Sequence, residues 1–109
     1  MSGYNVHYSA EALQDLDNIA DYMILEFDGT EVAARTISHI TSSIDRLVDF
    51  PKMGAPLSSI TDIESNYRFI VVEHYMVFYR VEDADVYIDR ILHGKRDYFR
   101  VLFEPGQSE

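Results

Sequence analysis

The sequence predicts an α+β domain: an N-terminal strand, an antiparallel helical hairpin, then a three-strand antiparallel meander, with the helices on one face of the sheet. Three observations predict it. Two stretches before Pro51 repeat apolar residues at three- and four-residue spacing, the period of an amphipathic helix. Three stretches after Asn66 are rich in branched and aromatic residues that alternate at a period of two. The connections inside each half are only a few residues long, which forces neighbours to run antiparallel.

The elements follow in order. Tyr4-Asn5-Val6-His7-Tyr8 alternates and suits a short strand, with Tyr4, Val6 and Tyr8 on one face. Ser9, with Glu11 in the next turn, reads as a helix N-cap. Leu13, Leu16, Ile19, Ala20, Met23 and Phe27 then mark one apolar stripe, opposite Glu11, Asp15, Asp17 and Asp21, which read as a solvated face. Gly29 suits a left-handed helix cap and Thr30 the N-cap of a second helix. Its stripe is Ala33, Ala34, Ile37, Ile40, Thr41, Ile44, Leu47 and Val48, and Pro51 ends it. A turn-rich loop runs from Phe50 to Leu57. The meander strands are Arg68–Glu73, Tyr75–Val81 and Val86–His93, turned near His74 and at Glu82-Asp83-Ala84-Asp85. Phe99, Val101, Leu102 and Phe103 form an apolar closure.

At 109 residues and 47% hydrophobic, the chain suits one domain over residues 1–103, with a frayed tail over 104–109. It holds no apolar run near the roughly 18 residues of a membrane span, no signal-peptide pattern at its start and no cysteine, so a cytoplasmic protein without disulfides is expected. Net charge is −10. Such a surface repels phosphate and disfavours general nucleic-acid binding. The imbalance is uneven: residues 1–50 hold nine acids against Arg35 and Arg46, whereas residues 51–109 hold seven bases against ten acids. His7, His39, His74 and His93 show no metal-ligand spacing, no glycine-rich phosphate loop occurs, and no metal or cofactor is expected.

The densest positive charge lies in Arg90-Ile91-Leu92-His93-Gly94-Lys95-Arg96-Asp97-Tyr98, which makes the end of the last strand the candidate anion site. Arg90 and Arg96 can equally pair with nearby carboxylates. On the middle meander strand Met76 and Phe78 point one way and Tyr75, Val77 and Tyr79 the other. Both faces are apolar, but helices are evident for only one. A bare face carrying Met76 and Phe78 implies a binding partner, unless the Pro51–Pro56 loop or the tail covers it.

In this order of residues the chain resembles the RelE/ParE superfamily, the toxin halves of type II toxin–antitoxin pairs. Four pieces carry the resemblance: Tyr8-Ser9-Ala10-Glu11-Ala12 with Asp15-Leu16; Leu47 through Leu57; Tyr67-Arg68-Phe69-Ile70-Val71-Val72 with Tyr75 through Val81; and Arg90 through Tyr98. The resemblance implies the same strand–hairpin–meander fold and a cognate antitoxin, as a toxin–antitoxin hetero-oligomer or beside a toxin homodimer. RelE-like members cut messenger RNA on the ribosome without a metal. That branch would place phosphate on Arg68, Arg80 and Arg90 and proton transfer on His93 and Tyr98. ParE-like members inhibit DNA gyrase, are involved in plasmid stabilisation and have no nuclease site. The long hairpin, the His-Gly-basic-Arg-Asp exit and the acid excess are more similar to this branch. In either branch Arg90, Lys95 and Arg96 would receive antitoxin acids, and Met76, Phe78 or the hairpin groove its apolar anchors. A non-toxic binding module on the same fold is the remaining reading.

Overall fold

The computed structural model describes residues 3–60 and 64–94. Strand β1 (Asn5–Tyr8) leads into helices α1 (Ala10–Phe27) and α2 (Thr30–Asp45). A two-residue strand β2 (Ala55–Pro56) follows, then the meander β3 (Arg68–Val72), β4 (Tyr75–Glu82) and β5 (Asp85–His93). The sheet is mixed, in the order β1-β5-β4-β3-β2. It therefore has one strand more than the sequence indicates. Two residues with a proline give too little period to read, and β2 exists because Ala55 and Pro56 pair with Phe69 and Arg68. Strand β1 joins β5 in parallel, Asn5 opposite Asp85 and Tyr8 opposite Ile88.

Ser9 caps α1 as its position indicates. Its Oγ accepts from the Ala12 amide at 2.9 Å and donates to the Asp89 carbonyl at 2.8 Å, tying the helix start to β5. The buried stripe of α1 is Ala12, Asp15, Ile19 and Met23. Leu13 and Phe27, expected in the core, are 52% and 60% exposed. Leu13 lies one residue, about 100°, round the helix from Ala12, which sets it on the rim of the hairpin. The inter-helix cap also differs by one residue. Asp28 takes the left-handed conformation (φ 50°) and Gly29 is the N-cap of α2, with Thr30 already helical. Aspartate tolerates that conformation, while a Cβ on Gly29 would meet Val32 Cγ2 at 3.0 Å. At its far end α2 tightens into a single 3-10 turn, Arg46–Val48, before Pro51 is reached.

One core lies between the helices and the sheet. Ala12, Ile19, Met23, Ala33, Ile40 and Ile44 pack on Ile70, Val72, Tyr75, Val77, Tyr79, Val86, Ile88 and Ile91. Val6 and Tyr8 of β1, and Tyr4 just before it, join this core on one face as their alternation indicates. The opposite face carries a second, smaller core of Leu57, Met76, Phe78 and Leu92, flanked by Tyr67 and Phe69. The bare face expected around Met76 and Phe78 is thus covered: Phe78 is 0% and Met76 8% exposed. The loop before β3 supplies Leu57 and is itself stapled down. Gly54 N–H donates to Tyr79 Oη at 3.0 Å, and Arg68 Nη1 donates to the carbonyls of Gly54 and Lys52. Only glycine fits there, because a Cβ would sit 2.6 Å from both Phe69 O and Tyr79 Oη.

The two hairpins of the meander turn on two residues each, Glu73-His74 and Asp83-Ala84, and the first residue of each is left-handed (φ 58° and 56°). Short hairpins need that twist, and a non-glycine residue supplies it under strain. Asp83→Gly is expected to raise stability by about 0.5 kcal/mol in urea unfolding, the relieved strain exceeding the entropy glycine adds to the unfolded chain; a loss would refute strain at this turn. Burial, then the Asp45 charge, raises the Tyr8 phenol above its ordinary value of 10.0. A raised pKa stabilises the fold fully below the unfolded value and loses that contribution as pH climbs through the folded one. Stability should therefore start to fall as pH approaches 10 and keep falling above it, and fall less in Tyr8→Phe, with urea midpoints as the readout.

Candidate functional site

The end of β5 was the site indicated by charge, and its geometry follows from a break in the β4–β5 register. Tyr79 pairs with Ile88, but Phe78 pairs with Arg90, so Asp89 is an extra residue. That bulge reverses the alternation along β5. Val86 and Ile88 face the helices before it, and Ile91 after it. Cross-strand partners share a face. By register Arg90, opposite Phe78, leaves the backbone toward the face of the second core, but β1 no longer covers that edge of β5 and the guanidinium ends on Asp15 of α1; His93, opposite Tyr75, belongs to the helix side. The bulge precedes both residues, so it does not bring them together.

Each arginine of the nuclease constellation is engaged within the fold. Arg90 Nε and Nη2 donate to Asp15 Oδ2 and Oδ1 at 2.8 and 2.9 Å. The same Oδ2 accepts the Ile91 amide at 2.9 Å. Arg80 Nε donates to Asp89 at 3.1 Å, Nη1 bonds Glu82, and the guanidinium lies 4.6 Å from the Tyr87 ring centre. Burial works against the Arg80 charge, yet Asp89 and Glu82 outweigh it and raise its pKa. Arg68 holds the loop carbonyls, and its partner Tyr79 places it on the helix face, away from Arg80. His93 lies parallel to His74 at 6.2 Å and meets Tyr75 edge-on at 5.7 Å. Lys95, Arg96 and Tyr98 lie outside the described residues. Met76 and Phe78 are core residues, so a partner reaching them would first have to displace Leu57 and Tyr67.

Two features escaped the sequence. Asp15 was grouped with the solvated acids, yet it is 7% exposed and holds α1 to β5. Its spacing from Ala12 and Ile19 places it on the buried stripe, and that was the signal available. The second feature is an open groove between the helices, about 500 Å³ in volume, lined by Ala20 and Ile24 of α1 and by Ala33, Ala34, Ile37 and Thr41 of α2. Phe27 (60% exposed), three residues after Ile24, extends this apolar surface along α1. Among the described residues no helix is long and apolar enough to cross a membrane, and no group of three or more His, Asp or Glu residues could hold a metal.

A family model described as the ParE toxin of the type II toxin–antitoxin system parDE matches residues 6–98. The chain belongs to the ParE toxin family. This ParE-family toxin is 29% identical over 103 residues to a putative toxin, Y4kP, of Sinorhizobium fredii, covering 94% of this chain and 100% of that protein. It is 35% identical over 72 residues to toxin ParE3 of Caulobacter vibrioides, covering 66% and 69% of the two chains. Its fold is similar to a solved chain described as the chromosomal ParDE system of P. aeruginosa, with TM-score 0.70 and 23% identity over 83% of this chain and 95% of that one. Membership makes an antitoxin the natural partner.

The Asp15–Arg90 clamp is a structural pair within this ParE-family fold. Asp15→Ala should lower stability by about 3 kcal/mol in urea unfolding, since it strands a partly buried guanidinium and the Ile91 amide. Asp15→Leu combined with Arg90→Leu should recover at least about 1 kcal/mol of that loss. An Asp15→Ala variant as stable as the wild type would remove the clamp from consideration.

Proposed function

We propose that this toxin arrests growth by inhibiting DNA gyrase, and that its antitoxin neutralises it by laying a segment in the α1–α2 groove. The observation that carries this reading is the commitment of Arg68, Arg80 and Arg90 to internal partners on two different faces of the sheet. A ribonuclease of the RelE type needs free cations converging on one phosphate, to stabilise charge as the transition state forms. Family membership supports the ParE branch in the same direction. The acid excess adds to it, since a protein of net charge −10 gains nothing from approaching ribosomal RNA.

The groove is the favoured antitoxin dock because it exposes apolar surface without backbone groups that need partners. The sheet face around Phe78 is already filled. Anion capture by Arg90, Lys95 and Arg96 is the alternative dock, and the Asp15 clamp on Arg90 weighs against it.

The test is gyrase supercoiling by the purified toxin, with ribosome-dependent messenger RNA cleavage run in parallel. Supercoiling should be inhibited and no message cut, and His93→Ala and Tyr98→Phe should inhibit gyrase as the wild type does. Cleavage that disappears in His93→Ala would establish the nuclease reading instead. Inactivity in both assays, by protein with a normal melting curve, would leave the binding-module reading.

A further inference from the structure

We propose that the segment occupying the hairpin groove is a basic amphipathic helix, selected by an acidic rim formed by Asp17, Asp21 and Glu31. The inference rests on the antitoxin-docking reading above and specifies the chemistry of that partner.

The groove walls are two α-helices whose backbone amides and carbonyls are satisfied internally. An extended segment laid between them would find no ladder to join, and its own backbone groups would be desolvated without partners. A helix brings its backbone already paired. The small side chains of Ala20, Ala33 and Ala34 leave room for it, and Ile24 and Ile37 give its apolar stripe a surface to cover.

The rim sets its charge. Asp17, Ala20, Asp21 and Ile24 are spaced as one stripe of α1, and Glu31, Ala34 and Ser38 as one stripe of α2. The acids therefore border the groove residues on both walls. All three are exposed, and among the described residues none is in an ion pair. No lysine or arginine lies in α1, so nothing there offsets Asp17 and Asp21, while on α2 Arg35 stands one turn after Glu31 and offsets it in part. Asp15, the other carboxylate on this part of α1, is already neutralised by Arg90. A segment flanked by Lys or Arg completes three pairs across the rim. A segment flanked by acids meets three carboxylates of its own sign. Exposed pairs are individually weak, but three together amount to about a tenfold difference in affinity, and like-charge rejection widens the gap between right and wrong partners.

The experiment uses the full-length protein and two synthetic helical peptides with the same Leu and Ala anchors, one flanked by Lys and one by Glu. Both are titrated by calorimetry at about 50 mM and about 500 mM salt, where charge screening differs strongly. The Lys peptide should bind at least about tenfold more tightly at low salt, and the gap should narrow at high salt. The triple variant Asp17→Asn, Asp21→Asn, Glu31→Gln should bind the two peptides about equally while keeping its melting temperature. Ala34→Gln, which fills the groove without adding charge, should abolish binding of both. Equal affinities for the wild type, or tighter binding of the Glu peptide, would overturn the charge inference and leave the groove reading standing. Failure of both peptides to bind, or binding untouched by Ala34→Gln, would overturn the groove reading and the inference with it.

Discussion

The carboxylate of Asp15 holds the two layers of this molecule in register. Past Ile88 strand β5 no longer has β1 beside it, and one residue later its alternation slips at Asp89. Backbone groups at such a place need partners. Helix α1 supplies them: Ser9 donates to the Asp89 carbonyl, and Asp15 accepts the Ile91 amide together with two donors from Arg90. The helix is thus fixed along the sheet by directional bonds, and the apolar stripe of Ala12, Ile19 and Met23 follows from where those bonds place it. A sheet without this bulge would offer α1 no such anchor, and the hairpin groove would have no fixed orientation.

In an acidic chain the few arginines are in demand as internal cross-links. Arg90 binds α1, Arg80 closes over the bulge residue through Asp89, and Arg68 holds the loop that carries Leu57 over the second core. The same three residues, read as charge alone, look like a phosphate site. Burial and partner geometry separate the two roles. A cation that already has a bidentate carboxylate has little left to offer a phosphate, and turning it outward would leave Asp15 buried and unpaired. Among the described residues the α1–α2 groove remains open, and its lining is largely apolar.

Much of this fold is legible from side-chain period. The two helices, the three meander strands and their turns appear in the spacing of apolar residues, because each element buries one face or stripe. What the period misses is set by contacts distant in the chain. Strand β2 exists only through its pairing with β3. The parallel docking of β1 depends on β5, which no local pattern announces. The covering of Phe78 depends on Leu57, across a loop with no period of its own. At the candidate site, Arg90 and His93 were legible as titratable groups near one glycine, and their odd spacing already placed them on opposite faces. That Asp89 is a bulge was not legible, since an extra residue in a strand leaves only a phase change in an otherwise ordinary alternation. Asp15 was the nearest miss: its position on the buried stripe was readable, but its charge argued for solvent until a partner on β5 was known.

The parallel pairing of β1 with β5 carries one more consequence. Ser9 and Asp89 are 80 residues apart in sequence, yet they share a hydrogen bond at the seam between hairpin and sheet. Closing so long a loop is slow and comes late in folding. During synthesis the chain emerges N-terminus first, so β1 and both helices wait on the ribosome for a strand that has yet to be made. That strand lies in the interior of the sheet, between β1 and β4. A chain terminated before β5 lacks the strand that joins its two halves, so translation must pass Asp85–His93 before the toxin has a structure with which to do harm.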